Sequence, residues 1–411
     1  MEKYEKSILK AIYTVTMLMF LVLAFIKGGF NYIPLVLGLS SCALIACAHF
    51  IIKRFFPKGD KYLLIISAFL AQLGLVMIYR LDSVNTNVAI VKLKSVRQVW
   101  WFTIGMAIYI LLVVFLPEIK RLEKVKYAYI VAAIALLAST LFLGSEIKGS
   151  RNWLNFGYFS IQPSEIAKLF LILYLASAIQ DIKNAYDTIK VAIPVFICIM
   201  LLVVEKDLGA ALIFFGVFMA MLYIGTSNKK YILIGIACFA LGGVLSYFLF
   251  NHVRIRVDIW LNPWADKSGK GYQILQSLFG IAAGGLFGKG LGEGNPYLIP
   301  EAHTDFIFSA ISEELGLMGA MAIILLYLLL VYRGLRAAIY AKDNYSRLVA
   351  VGISSMIAFQ VFVIIGGVTK MIPLTGITLP FVSYGGSSMV LNFTSIGVLQ
   401  RISESGRKYY E

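Results

Sequence analysis

The sequence predicts an all-α polytopic membrane protein of about twelve spans, with a large outer loop and a re-entrant segment. Three observations carry this. Hydrophobic residues make up 60% of the 411 and charged residues only 14%, against about 25% charged in soluble domains. The apolar residues come in long blocks, each near the roughly 20 residues that a helix needs to cross a bilayer core. The short connections between blocks carry most of the basic residues, on alternate sides.

Helices are the expected spanning form, because lipid leaves the backbone to satisfy its own polar groups. The blocks are too long for barrel strands and lack their alternation. The first ten residues, MEKYEKSILK, are basic and lead into an apolar stretch with no small-residue cleavage site. That reads as a first span and not a removed signal. Spans are expected near 8–26, 32–52, 62–80, 98–116, 126–144, 164–180, 190–205, 207–226, 230–250, 306–332, 346–367 and 385–402. They form one integral membrane domain over 1–411.

Orientation follows from Lys and Arg. With a cytoplasmic N-terminus, roughly 22 of the 37 basic residues fall in cytoplasmic segments, as the positive-inside rule requires. Both termini are then cytoplasmic. The net charge of +15 is accounted for in this way, and nucleic acid is not an expected partner. Cys42, Cys47, Cys198 and Cys238 lie inside apolar blocks without paired spacing, so neither a zinc nor a redox motif is present.

Three outer segments break the helix-and-turn pattern: about 145–163, 251–305 and 368–384. The last contains Pro373, Gly376 and Pro380 in apolar surroundings, which suits a re-entrant stretch lining a cavity. The long loop 251–305 mixes acids (Asp258, Asp266, Glu293, Glu301, Asp305) with bases (Arg254, Arg256, Lys267, Lys270, Lys289). Such a mixture suits an anionic lipid head group and a catalytic carboxylate, or a solvated loop with scattered charge.

The run GGLFGKGLGEG is not a Walker A loop, since residue 283 is Ala and no Ser or Thr follows Lys289. Its glycines either let backbone N–H groups approach a pyrophosphate or form flexible turns. Glu165 and Lys168 are three apart at the outer start of a span and share a helix face. Intramembrane charges face a cavity or a partner, so this pair either lines a site or braces the helix. Glu205 and Asp207 flank Lys206 in a short outer turn, read as solvated. Glu313 and Glu314 lie at the edge of a span, with one expected to face the interior. His303 is two residues from Asp305, a spacing that permits a hydrogen bond. No second His or Cys stands near enough to suggest a metal site.

Four blocks resemble the SEDS family (shape, elongation, division and sporulation), the group of RodA, FtsW and SpoVE. They are GSRNWLNFGYFSIQPSEIAKL at 149–169, WLNPWADKSGKGYQILQS at 260–277, GGLFGKGLG with PEAHTDFIFSAISEELGLMG at 284–319, and TGITLPFVSYGGSS at 375–388. The resemblance covers roughly 62–402. It implies a peptidoglycan glycosyltransferase that polymerises lipid II at the outer leaflet beside a class B penicillin-binding protein. It places the family's catalytic aspartate on Asp266, and its cavity acid and base on Glu165 and Lys168. Residues 1–56 then form two helices in addition to a core of 57–411. The chain has Asp266-Lys267 where the family often has Asp-Pro. The leaving pyrophosphate needs positive charge or a divalent cation such as Mg beside it. Arg254, Arg256, Lys168 and Lys289 are candidates for that role, with His303 and Asp305 as further substrate-binding residues. The alternative function is a flippase or transporter of lipid-linked precursors. Transport requires access from both faces, whereas polymerisation requires a carboxylate presented outside.

Overall fold

A computed structural model describes the chain except residues 1, 27–28, 84–91, 117, 148–149, 158–159, 267–268 and 411. The described residues form helices joined by irregular segments, with one small sheet. The chain opens with a helical hairpin, α1 (Glu2–Phe25) and α2 (Ile33–Phe55). Next come α3 (Tyr62–Asp82), α4 (Lys94–Phe115) and α5 (Lys126–Leu143). Three short strands follow: β1 (Ser145–Ile147), β2 (Ser150–Asn155) and β3 (Ser160–Ile161). They pair antiparallel in the order β1-β2-β3, with Ser145 opposite Trp153 and Leu154 opposite Ile161. The chain continues through α6 (Pro163–Ala178), α7 (Ala185–Val204), α8 (Leu208–Thr226) and α9 (Lys229–Leu249). The long loop holds α10 (Asn251–Leu261) and α11 (Lys270–Gly284). The last helices are α12 (Ile307–Ile339), α13 (Asn344–Val368) and α14 (Gly386–Tyr410).

Local chemistry sets several starts. Asn184, Asp207, Asn228 and Asp343 accept hydrogen bonds from N–H groups of the first turns of α7, α8, α9 and α13, satisfying donors that a helix end leaves open. Among the described residues ten helices are long and apolar enough to cross a membrane, against the expected twelve. The expected spans near 164–180 and 385–402 fold as α6 and α14. α6 has only 16 residues, and α14 carries Gln400, Arg401 and Glu404. Both are wrapped by protein: most of α6 is buried, as are Gln400 and Glu404. A helix screened from lipid need not be apolar. α3 and α13 are the most buried of the ten, whereas α9 has no buried residue.

The segment between α13 and α14 is irregular and buried, with Leu379, Phe381 and Val382 at 2% exposure or less. Neighbouring side chains take up its carbonyls. Gln98 donates to Ser383 O at 3.1 Å, Gln360 to Thr378 O at 2.9 Å, Tyr327 to Pro380 O at 2.5 Å and Trp260 to Lys370 O at 3.1 Å. Non-helical backbone at membrane depth is tolerated where protein satisfies it.

The glycine run has a structural use. α12 is broken at Gly316, whose φ is 68°, and the run pairs with that break. Lys289 N and Gly290 N donate to Glu313 O and Glu314 O, both at 3.0 Å. Leu317 N and Met318 N donate back to Gly285 O and Leu286 O at 2.9 and 3.1 Å. A β-carbon on Gly288 would strike Glu314 O, and one on Gly316 would strike Gly288 N. These glycines therefore permit backbone–backbone contact, and neither the pyrophosphate nor the flexible-turn reading describes them.

Candidate active site

A cavity of about 1010 Å³ opens on the face that carries the long loop, here the loop side. α4 contributes Arg97 and Trp101, β2 contributes Asn152 and Trp153, and α6 contributes Glu165 and Lys168. Lys206 and Asp207 enter from the α7–α8 turn, and Arg256 from α10. Glu301, Thr304 and Asp305 precede α12, and residues 374–378 of the irregular segment close the wall. All of these residues lie at loop-side helix ends or in loop-side connections.

Glu165 and Lys168 meet each other and the cavity at once. Lys168 Nζ is 2.8 Å from Glu165 Oε1 and donates to Gln360 Oε1 at 3.2 Å, with both charged residues under 9% exposed. The i, i+3 spacing makes the pair, and Gln360 links it to the irregular segment through Thr378 O. Pro163 starts the helix, and Ser164 does not cap it. Its hydroxyl donates instead to Asp207 Oδ2 at 3.3 Å.

Asp207 is the residue that sequence reasoning placed wrongly. It is 4% exposed and Glu205 is 1% exposed, so the turn is not solvated. Asp207 Oδ2 accepts from Asn152 Nδ2 at 3.0 Å, Gln162 Nε2 at 3.1 Å and Ser164 Oγ, while Oδ1 caps α8 through Ala210 N at 3.0 Å. One carboxylate thus joins β2, the start of α6 and α8. The signal was present in the sequence, since an acid between two apolar spans is costly unless it has partners.

Arg256 donates to Thr375 O at 2.8 Å and Leu374 O at 3.4 Å. Burial pulls its guanidinium below the ordinary arginine range, while the charges of Asp207 and Asp305 push it back up. It therefore brings positive charge to the cavity wall and holds the irregular segment there.

Four expected site residues lie elsewhere. Arg254 is largely exposed and sits 3.8 Å from Asp258. Lys289 Nζ is bound to Glu313 Oε1 at 3.2 Å, behind the glycine run. His303 Nε2 lies 3.3 Å from Asp82 Oδ1, and His303 does not line the cavity. Asp266 does not line the cavity. Its Oδ1 accepts from Gly269 N at 2.9 Å and its Oδ2 from Gly271 N at 3.4 Å, the pattern of a helix cap ahead of α11. Lys267 lies outside the described residues. Further along α11, Gln273 and Ile274 do reach the cavity.

Glu313 and Glu314 are both buried, where one was expected to be. His49 is held by Glu5, with Nε2 2.5 Å from Oε1. Among the described residues no three His, Cys, Asp or Glu side chains stand close enough together to hold a metal ion.

A helical bundle with apolar outer faces and a polar, charge-paired cavity on the loop side is the build of a multi-pass membrane protein. The model of the FtsW/RodA/SpoVE family, described as cell cycle protein, matches residues 60–408. The chain belongs to that family. It is 40% identical over 391 residues to the peptidoglycan glycosyltransferase RodA of Mycobacterium tuberculosis, covering 90% of this chain and 83% of that one. It is 37% identical over 363 residues to the stage V sporulation protein E of Bacillus subtilis, covering 85% and 98%. A solved chain described under the structural coordination of polymerization and crosslinking by a peptidoglycan synthase complex superposes with a TM-score of 0.73 at 30% identity, covering 86% of this chain and 99% of that one.

Proposed function

We propose that this peptidoglycan glycosyltransferase polymerises lipid II into β-1,4 glycan strands at the outer face of the cytoplasmic membrane, with both termini cytoplasmic. Its enzyme class is that of its relatives at 40% identity. The observation that carries the finer reading is the one-sided cavity. Its lining comes from loop-side elements, whereas at the opposite end of the bundle polar groups pair across helices. There Asp60 N donates to Ser403 Oγ at 3.0 Å, and Arg333 Nη1 donates to Asp60 Oδ2 at 3.2 Å. A flippase needs access from both faces; a polymerase needs one.

In this reading Lys168 and Arg256 face the diphosphate, where positive charge stabilises the leaving group. The acceptor sugar's 4-hydroxyl attacks the donor's anomeric carbon. The bond from that carbon to the undecaprenyl pyrophosphate oxygen breaks with inversion, and the hydroxyl proton passes to a base. Asp266 is the proposed base, by its place in the family's loop motif. It acts from the rim, at the start of the helix whose Gln273 and Ile274 line the cavity. Asp305, inside the cavity, is the reserve candidate. A positioned base contributes about 10²–10⁴-fold.

The proposed partner is a class B penicillin-binding protein, whose single span docks along α12 and α13. The solved relative from a synthase complex supports this. So does the exposed apolar stripe Met318, Met321, Leu325 and Leu328 on α12. Gly316 is not part of such a surface, because the glycine run already covers it. The decisive experiment supplies labelled lipid II to the purified protein, with and without its partner. Glycan ladders on a gel are expected; translocation of intact lipid II without ladders would reject the reading.

A further inference from the structure

The helical hairpin at 2–55 precedes the family's matched region, which begins at residue 60, and no role is assigned to it. We infer that this hairpin is a positioning element for the loop-side site, acting through α3 and the glycine run; the inference rests on the polymerase reading for its catalytic consequence.

The hairpin is fixed to α3 along its whole length. At the terminal side, the Glu5 carboxylate is shared by His49 Nε2 at 2.5 Å and Lys61 Nζ at 3.3 Å. At mid-depth, Thr16 Oγ1 donates to Gln72 Oε1 at 3.0 Å, and Gln72 Nε2 points to Ser41 Oγ at 3.4 Å and Cys42 Sγ at 3.3 Å. Thr16, Ser41 and Gln72 are 1% exposed or less. An apolar cluster follows, with Phe20, Leu23 and Leu37 against Leu75, Val76 and Tyr79. At the loop side, Asn31 Nδ2 donates to Tyr79 Oη at 3.1 Å. A simple membrane anchor needs none of the polar contacts. Polar groups that satisfy one another inside a bundle fix register, since any slip leaves them unpaired.

The hairpin also touches the site's scaffold beyond α3. Ile26 packs on Gly292, whose φ is 98° and where a β-carbon would sit 2.5 Å from Ile26 Cδ1. Leu291 joins the same apolar cluster. On its other face the glycine run is gripped by α3: Arg80 Nη2 donates to Gly292 O at 2.7 Å and Gly294 O at 2.9 Å. Ile26 and Arg80 thus hold Gly292 from two directions. Two residues beyond Arg80, Asp82 Oδ2 accepts from Ser95 N at 2.7 Å, and Oδ1 faces His303. Ser95 begins the helix that presents Arg97 and Trp101, and His303 adjoins Thr304 and Asp305. All four of those flanking residues line the cavity. Looseness at Ile26 is therefore passed to the cavity wall through the glycine run and residues 295–305.

The test uses the full chain in lipid nanodiscs, comparing Ile26→Ala with wild type and with Ile26→Leu as the conservative rescue. Ile26→Ala is expected to speed hydrogen exchange over residues 285–305 and to lower kcat for lipid II roughly ten-fold. KM and thermal unfolding should stay near wild type, and Ile26→Leu should restore both exchange and kcat. Unchanged exchange, or an activity loss that merely follows a lower unfolding temperature, would overturn the inference. If the wild-type protein makes no glycan, the polymerase reading fails, and the exchange measurement still decides whether the hairpin braces the loop.

Discussion

Arg80 and Glu314 form a buried ion pair across 234 residues of chain, with Nε 2.8 Å from Oε1 and neither side chain more than 6% exposed. Glu314 Oε2 also accepts from Gly292 N at 3.1 Å. The pair therefore closes a ring of α3, the glycine run and the break in α12. Removing one partner strands a buried charge, which costs about 3–5 kcal/mol. Arg80→Met and Glu314→Gln should each lower the thermal unfolding temperature sharply. The Arg80→Met, Glu314→Gln double variant should lose less than the two single losses combined. Equal, additive losses in a thermal-shift cycle would mean that the pair is not coupled.

Asp266→Asn keeps the size of the side chain and an oxygen for Gly269 N, but cannot take a proton at neutral pH. Near-complete loss of glycan synthesis is expected, with insertion and partner binding retained. Asp305→Asn is expected to weaken the reaction by a smaller factor. If Asp305→Asn abolishes synthesis while Asp266→Asn leaves a comparable rate, the base is Asp305, the carboxylate inside the cavity.

The Glu165–Lys168 pair is both braced and exposed to the cavity. Lys168→Met should remove charge facing the diphosphate and slow polymerisation by roughly a hundred-fold or more. The Glu165→Gln, Lys168→Met variant removes both charges and should fold at least as well as either single variant. A double variant that polymerises at the wild-type rate would make the pair purely structural.

Glu205 gives a pH dependence. Burial pushes its carboxyl up to about 8, and the charge of Asp207 adds to this. Thr140 stands beside it but donates its hydroxyl to Leu137 O at 2.5 Å, and neither Glu205 oxygen has a hydrogen-bond partner. The folded protein therefore binds this proton more tightly than the unfolded chain. Stability from the group is fully present below the ordinary carboxylate range, falls as pH rises, and is flat above about 8. Glu205→Gln should match the wild type near about pH 5 and unfold at higher temperature near about pH 9. Identical unfolding curves at both pH values would refute the assignment.

The sequence by itself determined the class of the protein. Long apolar blocks admit only helices in lipid, and the placement of Lys168 three residues after Glu165 put both on one helix face. Of Glu313 and Glu314 the sequence placed only one in the interior, while Pro373 and Pro380 marked the irregular segment that lines the cavity. The tertiary structure alone decided which charges meet which. Asp207 and Glu205 look alike as neighbours in a turn, yet one collects Asn152, Gln162 and Ser164 while the other has no hydrogen-bond partner on either carboxylate oxygen. Lys289 and Arg256 are two bases of one loop, and only packing sends the first to Glu313 and the second to the cavity. The glycines announce freedom of backbone, and only the broken helix opposite them shows that the freedom is used for close approach. Local pattern sets the period and the burial of each helix, because those depend on neighbours three or four residues away. Partners 50 to 300 residues apart depend on how the helices cross, which no local pattern encodes.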